Sequence, residues 1–80
     1  MATGTVRFWA AARAAAGRPE QRYDAATLGA VVAALEAEHG APLAKVLAHC
    51  SFLVDGVRAG PEFRLVDGAE IEVLPPFAGG

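Results

Sequence analysis

Residues 27–40 read TLGAVVAALEAEHG. Leu28, Val31, Val32 and Leu35 recur at i, i+3, i+4 and i+7, the spacing of one apolar stripe along a helix. Thr27 is a good N-cap, because its hydroxyl can accept a backbone N–H that the first turn leaves free. Gly40 suits the position just past the last turn, and Pro42 forbids the helix to run on. The spacing predicts a helix over residues 28–39.

A helix with one apolar stripe needs a sheet to cover it, and strand signals lie on both sides. Upstream, TVRFWA (5–10) alternates, with Val6 and Phe8 on one face and Arg7 and Trp9 on the other. AARAAAG then leads to Gly17, and Arg18-Pro19 marks a turn before a weaker strand, EQRYD. The two strands read as a hairpin. Downstream, LAKVLAHC reads as a short helical turn, SFLV as a strand, Asp55-Gly56 as a hairpin turn and VRAG as its return. EFRLV is a marginal strand. After a turn at Asp67-Gly68, EIEVLPP is a final strand with Ile71 and Val73 on the core face and Glu70, Glu72 and Leu74 opposite.

The order is strand, strand, helix, then three strand-like segments. Joining the first pair to the later strands over the helix gives an α+β fold of the β-grasp, ubiquitin-like kind. It has a mixed sheet of about five strands, with one main helix on one face. A single domain over residues 1–76 is expected, followed by a flexible Gly-Gly tail over residues 77–80.

Eighty residues allow one small domain with a thin core. The hydrophobic share of 54% is inflated by nineteen alanines, which bury little, so a large internal pocket is not expected. The net charge of −2 and scattered arginines argue against a nucleic-acid partner. The longest apolar stretch is too short for a membrane span, and MATGTVRFW does not resemble a signal peptide. One cysteine forms no internal disulfide. Together these features point to the cytosol.

The start VRFWAAARAAAG, the helix opening ATLGAVVAALE, the VDG turns and the end DGAEIEVLPPFAGG resemble the small subunit of molybdopterin synthase. That family of sulfur carriers also includes the thiazole carrier of thiamine synthesis. The resemblance covers nearly the whole chain, from about Val6 to Gly80. A terminal Gly-Gly alone is weak evidence. Pro-Pro-Phe-x-Gly-Gly after an Asp-Gly-x-Glu strand is much stronger.

The resemblance implies specific chemistry. A partner activating enzyme uses ATP to adenylate the terminal carboxylate of Gly80, and sulfur then replaces AMP to give a thiocarboxylate. The tail enters the large subunit of molybdopterin synthase and delivers sulfur to cyclic pyranopterin monophosphate. The chain itself is then a non-catalytic small subunit with no cofactor of its own. The residues suit that task. Gly79 and Gly80 make the thinnest peptide and accept backbone angles closed to other residues. Pro75 and Pro76 stiffen the base of the tail, which should flex mainly after Phe77. The sequence shows no nucleophile–base pair or metal-ligand cluster, so catalytic acids and bases must come from the partners.

The face assignments add a docking surface. A β-grasp sets the first and last strands side by side and parallel, so Trp9 and Leu74 become apolar neighbours near the tail, on the face without the helix. Hydrophobic residues at these positions pack on the large subunit and the activating enzyme in the resembling family. Arg13 matches an arginine of the same motif there and could form an ion pair at the rim. The plainer expectation for Trp9 is partial burial under the alanine-rich segment. Exposed apolar patches usually mark interfaces, and tryptophan is common in their hot spots.

Other residues have ordinary explanations. Cys50 reads as a small near-core residue, His39 as a favourable helix-end cation, and Asp55 and Asp67 as turn chemistry. Lys45 reads as an exposed lysine, although some relatives of the resembling family join the tail to a lysine. Two other functions stay open: a carrier for cysteine or thiamine-thiazole synthesis, and a ubiquitin-like interaction module without sulfur chemistry.

Overall fold

The computed structural model describes residues 1–76. Strand β1 (Ala2–Phe8) leads into helix α1 (Ala10–Ala16) and strand β2 (Glu20–Ala25). Helices α2 (Leu28–His39) and α3 (Ala41–Leu47) follow, then strands β3 (Ser51–Val54), β4 (Val57–Arg58) and β5 (Glu70–Leu74). The strands form one five-stranded sheet in the order β2-β1-β5-β3-β4. β1 pairs antiparallel with β2 and parallel with β5, and β3 pairs antiparallel with β5 and β4. This is the expected β-grasp: a mixed sheet whose two central strands come from distant parts of the chain.

The alternation read from sequence sets the core. Val6, Phe8, Ile71 and Val73 are all buried on the helix-covered face. Leu28, Val31 and Leu35 of α2 pack onto them, while Val32 is only partly buried at the side of the stripe. Thr27 caps α2 as expected, its Oγ1 accepting from the Ala30 N–H at 3.2 Å. The two preceding N–H groups find other partners. Leu28 N donates to Phe63 O (3.0 Å) and Gly29 N to Pro61 O (2.8 Å). At the other end, Gly40 closes the helix at φ 77. His39 is set edge-on to Phe8 there and bonds Gln21 Oε1 at 2.8 Å.

Several expectations are corrected. The alanine-rich run is a helix, α1, rather than a plain connection. Alanine is the best helix former, Ala12 is fully buried, and Gly17 ends the helix in the left-handed region at φ 76. β1 begins at Ala2 and stops at Phe8, so Trp9 follows the strand rather than belonging to it. LAKVLAHC contributes to a full seven-residue helix, α3, with Pro42 in its first turn, where a missing N–H does no harm. VRAG pairs only at Val57 and Arg58. EFRLV makes no strand; Arg64 forms one isolated bridge with Thr27, and the segment covers the start of α2.

Candidate functional site

The parallel pairing of β1 with β5 decides where the site lies. Phe8 and Val73 are partners in the register and both point into the core. Continued by one residue, the register sets Trp9 opposite Leu74, at the end where the chain leaves the sheet. Trp9 N donates to Val73 O at 3.3 Å, which ties the two strand ends together. Trp9 has extended backbone (φ −121, ψ 151), so its side chain alternates away from Phe8 to the helix-free face. It is 41% exposed, so the partial burial considered from sequence still leaves a large part of the ring open to solvent.

Polar neighbours hold the indole. Its Nε1–H donates to Glu72 Oε2 at 3.1 Å, and the Arg7 guanidinium carbon lies 5.9 Å from the ring centroid. Arg7 is itself held by Glu20 (3.2 Å) and Glu70 (3.5 Å). Leu74 is half-buried and pairs with Ser51 of β3. Beyond it Pro75 is buried and Pro76 exposed, so the tail departs from an anchored residue.

The structure thus brings Trp9, Leu74, Pro75 and Pro76 to one end of the sheet. Arg13 stands exposed on α1, the helix that Trp9 caps, and makes no ion pair with another described residue. Phe77, Gly79 and Gly80 lie outside the described residues. Sequence reasoning missed the roles of Arg7 and Glu72. Their strand alternation does place them on the face of Trp9, which is the signal that could have found them.

The Cys50 thiol donates to Val46 O at 3.1 Å, and burial pushes its pKa above 9.0, away from the reactive thiolate. Among the described residues no group of three or more His, Cys, Asp or Glu could hold a metal ion, and no helix is long and apolar enough to cross a membrane. What the arrangement offers is an apolar, partly charged platform beside Pro75 and Pro76.

Known proteins carry the same frame. The chain is 26% identical to small archaeal modifier protein 1 from Haloferax volcanii, with a TM-score of 0.85, 98% of this chain and 99% of that chain covered. It is 32% identical to the Haloferax volcanii HVO 2177 protein, with a TM-score of 0.81, covering 99% of this chain and 87% of that one. A chain in the complex of subunits 1 and 2 of molybdopterin-converting factor from Helicobacter pylori shares the fold at 24% identity. Its TM-score is 0.72, with 98% and 99% of the two chains covered. No curated protein matches in sequence. The ThiS family model matches residues 6–80, from the second half of β1 through β5 to the end of the tail. With this match and the β-grasp, ubiquitin-like fold, the chain belongs to the ThiS family.

Proposed function

We propose that this chain is a sulfur carrier of molybdenum cofactor synthesis that works through its C-terminal carboxylate. A partner activating enzyme spends ATP to form an acyl-adenylate on Gly80 and releases pyrophosphate. Sulfur at the hydrosulfide level then attacks that carbonyl and displaces AMP, which leaves a thiocarboxylate and a proton. The large subunit of molybdopterin synthase takes the tail and passes its sulfur to cyclic pyranopterin monophosphate. Adenylation is needed because a free carboxylate is a poor acyl donor.

The family match over residues 6–80, which includes Gly79 and Gly80, carries this reading. The solved complex of molybdopterin-converting factor subunits 1 and 2 supports a large-subunit partner. Within the chain, Pro75 and Pro76 aim the tail, Trp9 and Leu74 form the docking patch, and Arg13 supplies a cation at its rim. The activating enzyme and the large subunit work in the cytoplasm in this reading.

The test is intact-mass measurement after incubation with the activating enzyme, ATP and a sulfur donor. The expected product is heavier by one sulfur in place of one oxygen, at Gly80. No mass gain with the activating enzymes of the molybdopterin, thiamine or cysteine pathways would sink the carrier reading. A second reading is a protein modifier, joined to a lysine of another protein. It is favoured by 26% and 27% identity to the small archaeal modifier protein 1 structures from Haloferax volcanii and Methanosarcina acetivorans. Capture of the large subunit from a lysate supports the first reading, and lysine conjugates the second.

A further inference from the structure

The helix-free face carries three carboxylates around Arg7, and one differs from the others. Glu20 and Glu70 both pair with the Arg7 guanidinium. Glu72 is Arg7's partner in the strand register, yet it makes no ion pair with any described residue. Its Oε2 accepts the indole N–H of Trp9 instead. On its other side Glu72 faces Leu53, an apolar residue, and the next cation along that row, Arg58, donates to Ser51 Oγ at 3.1 Å. Arg7 and Arg58 thus hold other partners, and Glu72 is half-buried without a direct ion pair among the described residues.

Two consequences follow from general physics. An indole held at its edge by a carboxylate, with a cation near its face, keeps one orientation, so less freedom is lost when a partner covers it. A partner that covers Trp9 also removes water from Glu72. Drying an unpaired carboxylate is unfavourable unless a cation and hydrogen bonds replace the water.

We propose that Glu72 positions Trp9 and is itself a recognition point: the partner that receives the indole in an apolar pocket brings an arginine or lysine to the free oxygen of Glu72. This deepens the carrier reading, and rests on it for the identity of the partner. The face is thus specific for a protein surface with an apolar pocket and a basic rim, and it rejects an apolar surface of the same shape that lacks the cation.

The full chain tests this in two stages. Trp9 is the only tryptophan, so its indole ¹⁵N–¹H resonance and its emission report on it alone. In the free protein Glu72→Ala shifts both, because the acceptor is gone. Glu72→Gln shifts them little, because the amide oxygen still accepts the bond. An unmoved resonance in Glu72→Ala overturns the positioning role. In the second stage, affinity for the large subunit is measured at low and high salt. Glu72→Gln weakens binding roughly 30-fold, the low end for removing one member of a hydrogen-bonded interfacial charge pair, and flattens the salt dependence. A variant that binds like wild type at both salt levels overturns the cation requirement. If wild type gains sulfur at Gly80 while that variant binds unchanged, only this inference falls. If wild type never gains sulfur and never binds the large subunit, the carrier reading and the cation requirement fall together, and the resonance still decides the positioning role.

Discussion

Gly4 and Tyr23 face each other across β1 and β2, and the tyrosine ring fills the space in which a side chain at position 4 would stand. From there the Tyr23 hydroxyl donates to Ala69 O at 2.8 Å. One absent methyl group thereby lets β2 reach across β1 to the residue before β5. The same absence explains why the start of β1 was hard to see. A glycine weakens a strand on its own, and here a neighbouring ring supplies what it lacks.

Gly4→Ala should therefore be costly. Its Cβ would collide with Ala69 O and come within 2.6 Å of the Tyr23 hydroxyl. Either the ring moves and loses its bond, or the strands part. The expected loss is about 1–3 kcal/mol, as for other overpacked cores. Urea denaturation measures it, and an unchanged midpoint would refute the packing described.

Tyr23 also sets an alkaline limit. Burial raises its pKa above 10.0, with Asp55 and Asp67 adding and Arg22 opposing. The folded state then holds this proton where the unfolded chain has released it. The contribution is fully present below the unfolded value of 10.0 and is lost as pH rises through the higher folded value. Wild-type melting temperature should fall across that window more steeply than that of Tyr23→Phe. Below it, Tyr23→Phe should be less stable by about 1 kcal/mol, for the lost hydrogen bond. Parallel alkaline slopes in the two proteins would contradict this assignment.

Trp9→Ala should separate docking from folding. The residue is 41% exposed and lies outside the core cluster, so its removal should leave the domain folded. Binding to the large subunit should weaken by about 2 kcal/mol or more, the scale of an interface hot spot. Calorimetric titration beside circular dichroism checks both halves. Wild-type affinity in a folded variant would remove Trp9 from the interface.

Leu43→Ala tests whether α3 belongs to the core or merely decorates it. Leu43 is 0% exposed and packs with the sheet residues and α2. The expected loss is about 2–5 kcal/mol, read from chemical denaturation. A loss below 1 kcal/mol, roughly that of trimming a single methylene group, would mean that α3 is peripheral.

Much of the frame was legible because its signals are local and periodic. Leu28, Val31 and Leu35 drew α2, and Thr27 and Gly40 marked its ends. Val6 with Phe8, and Ile71 with Val73, showed which faces of the central strands look inward. Helix α1 was hidden because alanine looks alike on every face, so a run such as AARAAAG has no period to read. The segment after β4 misled for the opposite reason. Phe63 and Leu65 alternate like a strand, but the backbone there serves the free N–H groups of α2 and a single bridge. At the site, alternation placed Trp9 and Leu74 on the open face. It did not assign Glu72 to Trp9, because that bond joins residues 63 positions apart and depends on how two side chains turn.

The place of β5 between β1 and β3 has a consequence for synthesis on the ribosome. The first strand emerges early, yet its parallel neighbour is the last strand in chain order among the described residues. Until Glu70–Leu74 leaves the exit tunnel, β1 and β3 have no strand to join them, and the sheet remains in two pieces. A nascent or truncated chain lacking β5 has no assembled platform, so a partner that binds the platform meets only chains that already hold β5.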